Sequence, residues 1–309
     1  MIEKQFTFKG ANGTQLPARI WLPDGEITAI LQITHGMTEH IGRYTKLASE
    51  LTLKGIVVAG FDLRGHGQNS GNKKVASLGE NGWNDSLKDM HLFYQNLHEQ
   101  FGNVPHYLMG FSLGSFLVRE YLAAYDDRLE GAIIMGTGHQ PKLVLDVMCA
   151  IVKGQIKKAG FDETTPLVKQ LSFETYNKKF TPNRTPSDWL CSDEAELDAY
   201  IDDELCREDI SAGLFWELLQ GMKRTGDVSI YKRYNKETKI LLISGKDDPV
   251  GDMGKGVTHV KEDMVKAGLL HIELFLYEKA RHDLLHEEKN GGSKAARRYI
   301  ESWMIKERM

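Results

Sequence analysis

The chain has 309 residues, 41% of them hydrophobic and 27% charged, a balance that supplies a sizeable core and lies far from the signature of disorder. Lysine and arginine total 39 against 43 aspartate and glutamate, a formal net charge of -4, which gives no global attraction to nucleic acid or anionic lipid. The longest apolar runs fall short of the roughly 18–20 residues a membrane-spanning helix needs.

The first ten residues lack the basic start and apolar stretch of a secretion signal, so the expected compartment is the cytoplasm. Cys149, Cys191 and Cys206 form no C-x-x-C pair and fit reduced thiols better than disulfides or a zinc site.

Residues 5–9 and 14–22 alternate in the strand manner around Gly10-Ala11-Asn12-Gly13, which predicts an antiparallel hairpin. Continuous apolar runs follow at 29–34, 55–61, 107–111, 131–135, 239–243 and 272–277, the pattern of strands buried on both faces of a parallel sheet. Helical spacing over 44–53, 83–100, 113–124, 254–267 and 294–305 lies between most of them. Strand–helix alternation of this kind predicts an α/β fold with a mostly parallel, eight-stranded sheet flanked by helices. The interval 137–235 breaks the alternation with helices and acidic loops but no convincing strand. The expected organisation is a core of 1–137 and 236–309 with a helical cap insertion over 138–235. Ligands of open α/β sheets bind beyond the carboxyl ends of the strands, so an insertion leaving there would roof the site.

Gly110-Phe111-Ser112-Leu113-Gly114 is a G-x-S-x-G motif set between an apolar run and a helical stretch. A sharp strand-to-helix turn there would expose Ser112 as a nucleophile, with the flanking glycines leaving room for neighbouring chain. A serine hydroxyl needs a histidine base oriented by a carboxylate, in the chain order serine, acid, histidine. After the run 239–243, Asp247 and Asp248 compete for the acid. Asp248 is preferred because Pro249 biases it toward extended backbone.

Of the later histidines, His259 falls in a helical stretch and His271 opens a strand. His282 follows the last strand and is the predicted base, and His286 belongs to the next helix. After the strand 29–34, His35-Gly36-Met37-Thr38-Glu39-His40 supplies the amide of Met37, which with that of Leu113 would form an oxyanion hole. His35 and His40 have no further metal ligands at suitable spacing, so no metal or cofactor is expected.

These stretches together resemble the monoacylglycerol lipase and lysophospholipase-like serine hydrolases of the α/β-hydrolase fold. The segment 35–44 is similar to that family's oxyanion loop, and Asp62-Leu63-Arg64-Gly65-His66-Gly67 with Ser70-Gly71 is similar to its D-x-R-G-H-G-x-S-x-G segment. Gly245-Lys246-Asp247-Asp248 resembles its G-x-x-D, and the segment 280–287 its histidine loop. The resemblance runs from near Lys4 to near Met309. It implies that Asp62, Arg64 and His66 buttress the site rather than react. Lys279 stands where the family often has glycine, and Phe111 where it often has histidine.

Val144, Val147, Met148 and Ile151 follow helical spacing, widened by Leu143, Leu145 and Val152, and predict an amphipathic helix that packs on the core, lines an acyl pocket or touches a lipid surface. Gly36, Phe111, Val144, Met148, Trp189 and Trp216 are the predicted substrate contacts. Between 188 and 209 the chain is rich in Asp and Glu with Arg207 as the clear counter-charge, a pattern of either a solvated face or a site for a cationic amine.

The expected function is hydrolysis of carboxylic esters, on a small-molecule or lipid-like substrate and without nucleic acid. An aminopeptidase or amidase on the same triad, and a non-catalytic receptor on the same scaffold, are the alternatives.

Overall fold

The computed structural model describes residues 1–70, 75–206 and 209–306. Gly71, Arg207 and Met309, which enter the sequence reading, lie outside them. Eight strands form one sheet: β1 (Ile2–Lys9), β2 (Gln15–Leu22), β3 (Ala29–Thr34), β4 (Ile56–Phe61), β5 (His106–Phe111), β6 (Gly131–Met135), β7 (Lys239–Gly245) and β8 (Ile272–Tyr277). Their order across the sheet is β1-β2-β4-β3-β5-β6-β7-β8. The hairpin β1–β2 runs in antiparallel register from Ile2 opposite Leu22 to Lys9 opposite Gln15. β2 also meets β4 antiparallel, and every later pairing is parallel.

The central strands are apolar at every position because successive side chains feed two different cores. Ile30, Val57, Leu108, Ile134 and Leu242 enter one apolar cluster. Leu31, Val58, Met109, Ile133 and Ile243 enter the other, on the opposite face. α1 (Thr45–Thr52) and α8 (Gly292–Lys306) cover the second cluster. α2 (Gly82–Phe101), α3 (Leu113–Ala124) and α7 (Lys255–Lys266) cover the first. β8 departs from the expected burial, being half-buried along its whole length. It is an edge strand, hydrogen-bonded on one side only, with the Tyr299 ring stacked 4.3 Å from that of Phe275.

Between β6 and β7 the chain forms α4 (Lys142–Ala159), a run of short turns, α5 (Glu194–Asp202) and α6 (Ala212–Thr225). The expectation of no strand in this interval needs a small correction, since Asp209–Ile210 pairs in parallel with Val75–Ala76. α6 lies against α3 and is capped by Ser211, whose hydroxyl accepts from the Leu214 amide. The buried Arg119 fastens this interval to the core. Its guanidinium donates to Thr137 Oγ1 and the Gly138 carbonyl, both at 3.0 Å, and to the Thr225 carbonyl at 2.7 Å.

The wide apolar stripe of α4 divides between an inward and an outward face. Leu145, Cys149 and Val152 face inward, and α4 packs against α6 along them. Val144 is 44% exposed and Val147 53%, so Val144 turns away from the interior and is corrected as a pocket residue. The helix carries apolar residues on two faces, and the smaller Leu–Cys–Val seam is the one that fits α6.

Candidate active site

Ser112 sits at the junction of β5 and α3 with φ 50° and ψ -115°, a backbone conformation that costs a non-glycine residue of order 1–3 kcal/mol. The turn is held by the Ser112 amide donating to the Met135 carbonyl at 3.0 Å and by Ser115 Oγ donating to the Ser112 carbonyl at 2.6 Å. Both flanking glycines are required by close approach. A Cβ at Gly110 would lie 2.2 Å from the Gly114 carbonyl oxygen, and one at Gly114 would lie 2.1 Å from that of Thr34.

Asp248 is fully buried in the turn after β7, and its Oδ2 accepts from His282 Nδ1 at 2.9 Å and from Ser244 Oγ at 3.0 Å. Its Oδ1 accepts from the Val250 amide at 2.8 Å. Asp247 is half-buried, and only its amide is engaged with this neighbourhood, through the Ala280 carbonyl at 2.9 Å. The carboxylate fixes the tautomer of His282: a proton on Nδ1 leaves the Nε2 lone pair free. That Nε2 is buried and has no hydrogen-bond partner among the described residues, Ser112 Oγ included. The His282 ring is packed at 4.9 Å from Phe111 and 5.1 Å from Trp189.

The loop after β3 meets the same point. A Cβ on Gly36 would stand 3.1 Å from Phe111 and 3.2 Å from the Ser112 Cβ, and neither the Met37 nor the Leu113 amide donates to a protein acceptor among the described residues. His35 is a brace. Its Nε2 accepts from the Leu63 amide at 2.9 Å and its Nδ1 donates to the Gly36 carbonyl at 2.7 Å, which requires the neutral ring. Burial lowers its pKa in the same sense. Glu39 receives the Gly36 amide at 2.6 Å, the Tyr44 hydroxyl at 2.9 Å and Arg43 at 2.5 Å. Asp62 receives the amides of Ile41 and Gln68, and Arg64 forms a two-pronged pair with Asp89.

Arg43 and Trp189 were not given these roles by sequence reasoning. The other end of the Arg43 guanidinium donates to Asp283 at 2.7 Å, so one half-buried cation ties the loop after β3 to the residue beside His282. Trp189 is held over the His282 ring because Arg281 donates to the Asp188 and Cys191 carbonyls and the Asp283 amide donates to that of Leu190. Beside Trp189 and Thr38 opens a cavity of about 330 Å³, a ligand-sized space walled by Phe173, Leu190, Tyr200 and Ile201. Met148 and Trp216 are half-buried against the main core cluster.

A family model described as serine aminopeptidase, S33 matches residues 25–289. The chain belongs to that family. Among curated relatives, the monoglyceride lipase of Mus musculus is 25% identical over 299 residues, covering 95% of this chain and 88% of that one. An uncharacterized abhydrolase domain-containing protein of Dictyostelium discoideum is 28% identical over 241 residues, and the chain spans only 22% of its length. A solved structure described as a lipase in its open form superposes with a TM-score of 0.87 at 26% identity, covering 99% of this chain and 98% of that one. The fold of this S33 member is therefore the α/β-hydrolase fold, and no helix among its described residues is long and apolar enough to cross a membrane.

Its departures from the resembled pattern have local explanations. Lys279 has φ 59°, in the left-handed region where glycine is the usual occupant. His286 lies in a single turn, Leu284–His286, rather than in the next helix, and Asp283 Oδ1 lies 2.8 Å from its Nδ1.

The acidic stretch draws counter-charges from elsewhere in the chain. Asp198 pairs with Arg184 at 2.6 Å, Asp203 with His40 at 2.8 Å and Asp209 with Lys169 at 2.5 Å, while Asp188 and Asp193 accept backbone amides. His40, Asp203 and Cys206 also bring ligand atoms within 4.8 Å, so His40 has neighbours that spacing did not reveal. His40 is already committed, through Nε2 to Asp203 and through Nδ1 to the Gly42 amide.

Burial alone would raise the Asp283 carboxyl; His286 and Arg43 outweigh it and hold it well below the usual carboxylate range. A depressed carboxyl contributes stability that is complete above its unfolded pKa and is lost as pH falls through the folded one. Asp283→Asn is expected to cost about 3 kcal/mol near neutral pH. The gap between the thermal midpoints of parent and variant should narrow below about pH 4. Midpoints measured across the acid range check this, and a gap that widens on acidification contradicts it.

Proposed function

We propose that the protein is a serine hydrolase of carboxylic esters, of the monoacylglycerol lipase, lysophospholipase or carboxylesterase type. Ser112 is the nucleophile, His282 the general base and then acid, and Asp248 the orienting carboxylate. The observation that carries the reading is the strained Ser112 turn beside a buried His282 whose Nδ1 is held by Asp248 and whose Nε2 lacks a partner among the described residues.

In this reading Ser112 Oγ attacks the ester carbonyl carbon as its proton passes to His282 Nε2. The amides of Met37 and Leu113 stabilise the oxyanion. The tetrahedral intermediate expels the alcohol, which takes the proton from His282, and Ser112 is left acylated. Water then gives a proton to His282 and attacks the acyl carbon, and the second tetrahedral intermediate breaks its bond to Ser112 Oγ, which takes that proton back from His282 as the acid is released. Every step uses groups of this chain and water, so the mechanism calls for no metal or cofactor.

Residues 138–235 act as the cap. Trp189, Gly36 and Phe111 line the approach to Ser112, and the cavity beside Trp189 receives an apolar acyl chain. The three free thiols suit a reducing compartment such as the cytoplasm. Initial rates on p-nitrophenyl esters of increasing acyl length, beside aminoacyl p-nitroanilides, test the assignment. Ester turnover with negligible anilide turnover is expected, because Asp198, Asp203 and Asp209 of the acidic stretch already pair with Arg184, His40 and Lys169. Anilide turnover alone would make the protein an aminopeptidase, and binding without turnover a receptor.

The outward face of α4 makes the cap a transient membrane contact. Leu143, Val144, Val147 and Ile151 are 37–75% exposed along one side, with Lys153, Lys157 and Lys158 on the same helix. Val147→Asp is expected to reduce co-sedimentation with anionic vesicles severalfold while leaving rates on a short soluble ester unchanged; equal co-sedimentation contradicts the contact.

A further inference from the structure

Outside the Ser112 site, three ligand-type side chains converge where the interval 138–235 begins. His139 follows β6, and its ring lies 4.0 Å from that of His259 on α7. One turn further along α7, Asp263 Oδ2 stands 3.2 Å from His259 Nε2. One ligand atom from each of the three falls within 4.8 Å of the others. From these distances we propose that His139, His259 and Asp263 form a binding site for a divalent transition metal of the zinc class.

Two imidazoles and one carboxylate are the donors such ions take, and the i, i+4 spacing of His259 and Asp263 puts both on one face of α7. Tetrahedral coordination at about 2.0–2.1 Å from the metal sets neighbouring ligand atoms about 3.3 Å apart. The His259–Asp263 edge already has that length, and closure onto a metal requires the His139 ring, now packed 4.0 Å from that of His259, to turn toward it. The His259 side chain is 43% exposed, whereas that of Asp263 is 7% exposed and acts as the fixed point.

The surroundings orient the set. Lys266 donates to Asp263 Oδ1 at 2.9 Å, leaving Oδ2 facing His259. Arg119 donates to the Thr137 hydroxyl and the Gly138 carbonyl, just before His139, and to the Thr225 carbonyl, which fixes the backbone that carries His139. A Cβ on Gly256 would stand 3.1 Å from the His139 amide nitrogen, so α7 and this segment are already in contact. A metal here would fasten the end of β6 to the helix that follows the Asp248 turn, stiffening both from outside the reacting groups.

Titration of the metal-free full chain with Co(II), read by its visible d–d absorption, tests the site independently of hydrolysis. A single equivalent is expected to bind, to be displaced by Zn(II), and to raise the thermal midpoint. His139→Ala and His259→Ala should each weaken binding by at least about 100-fold, with the metal-free midpoint little changed. His271→Ala, an exposed histidine outside the set, should leave binding intact. No Co(II) bound to the parent, or binding that survives both variants, overturns the proposal. Binding lost in His40→Ala but kept in His139→Ala overturns it as well, by moving the ion to the group around His40.

Discussion

Ser112→Ala is expected to lower ester turnover by roughly 10,000-fold or more, to the residual rate that oxyanion amides and substrate binding supply alone. The substitution removes one half-buried hydroxyl, which has no hydrogen-bond partner among the described residues. The turn around it is kept by the Ser112 amide, the Ser115 hydroxyl and the two crowded glycines. Thermal midpoint and far-ultraviolet dichroism should therefore match the parent. An alanine variant that retains turnover in a preparation free of other hydrolases contradicts the role given to Ser112, whatever the parent's substrate.

The second large effect separates two adjacent carboxylates. Asp248→Asn keeps the shape of the side chain but offers an amide where a carboxylate accepted from His282 and Ser244. With the amide nitrogen toward His282, Nδ1 must accept and the proton moves to Nε2, where it cannot serve as base. A drop of roughly 10,000-fold in kcat is expected. Asp247→Asn should stay within about twofold of the parent, since a half-buried side chain without a fixed partner contributes little. Parallel rates for the two variants at saturating ester decide the matter, and a larger loss at Asp247 would reverse the assignment.

The sheet was legible because its signals are local. Continuous apolar runs mark strands that feed two cores, and Gly110-Phe111-Ser112-Leu113-Gly114 lies where a strand must turn sharply into a helix. The candidate triad followed from position, since Asp248 and His282 each come just after a strand whose carboxyl end opens on the same crevice. The order of β3 and β4 within the sheet, and the edge position of β8, depend on pairings that no single stretch encodes.

Other features escaped because they join distant residues through side-chain geometry. The Arg43–Asp283 pair spans 240 positions, and nothing at either end names the other. The same holds for Arg119 and Thr225, and for Trp189 on His282. On α4 the periodicity gave a helix and a wide apolar stripe but could not say which part of that stripe faces inward. There the shape of α6 selects Leu145, Cys149 and Val152. Carboxylates between 188 and 209 read as unpaired for a similar reason: Arg184, His40 and Lys169 approach from outside that stretch.

The most direct test of the central claim is intact-mass spectrometry after reaction with an alkyl fluorophosphonate, followed by peptide mapping. One adduct per chain is predicted, located on Ser112, absent from Ser112→Ala and greatly slowed in Asp248→Asn. An adduct on another residue, or an unlabelled chain that still hydrolyses esters, would contradict it.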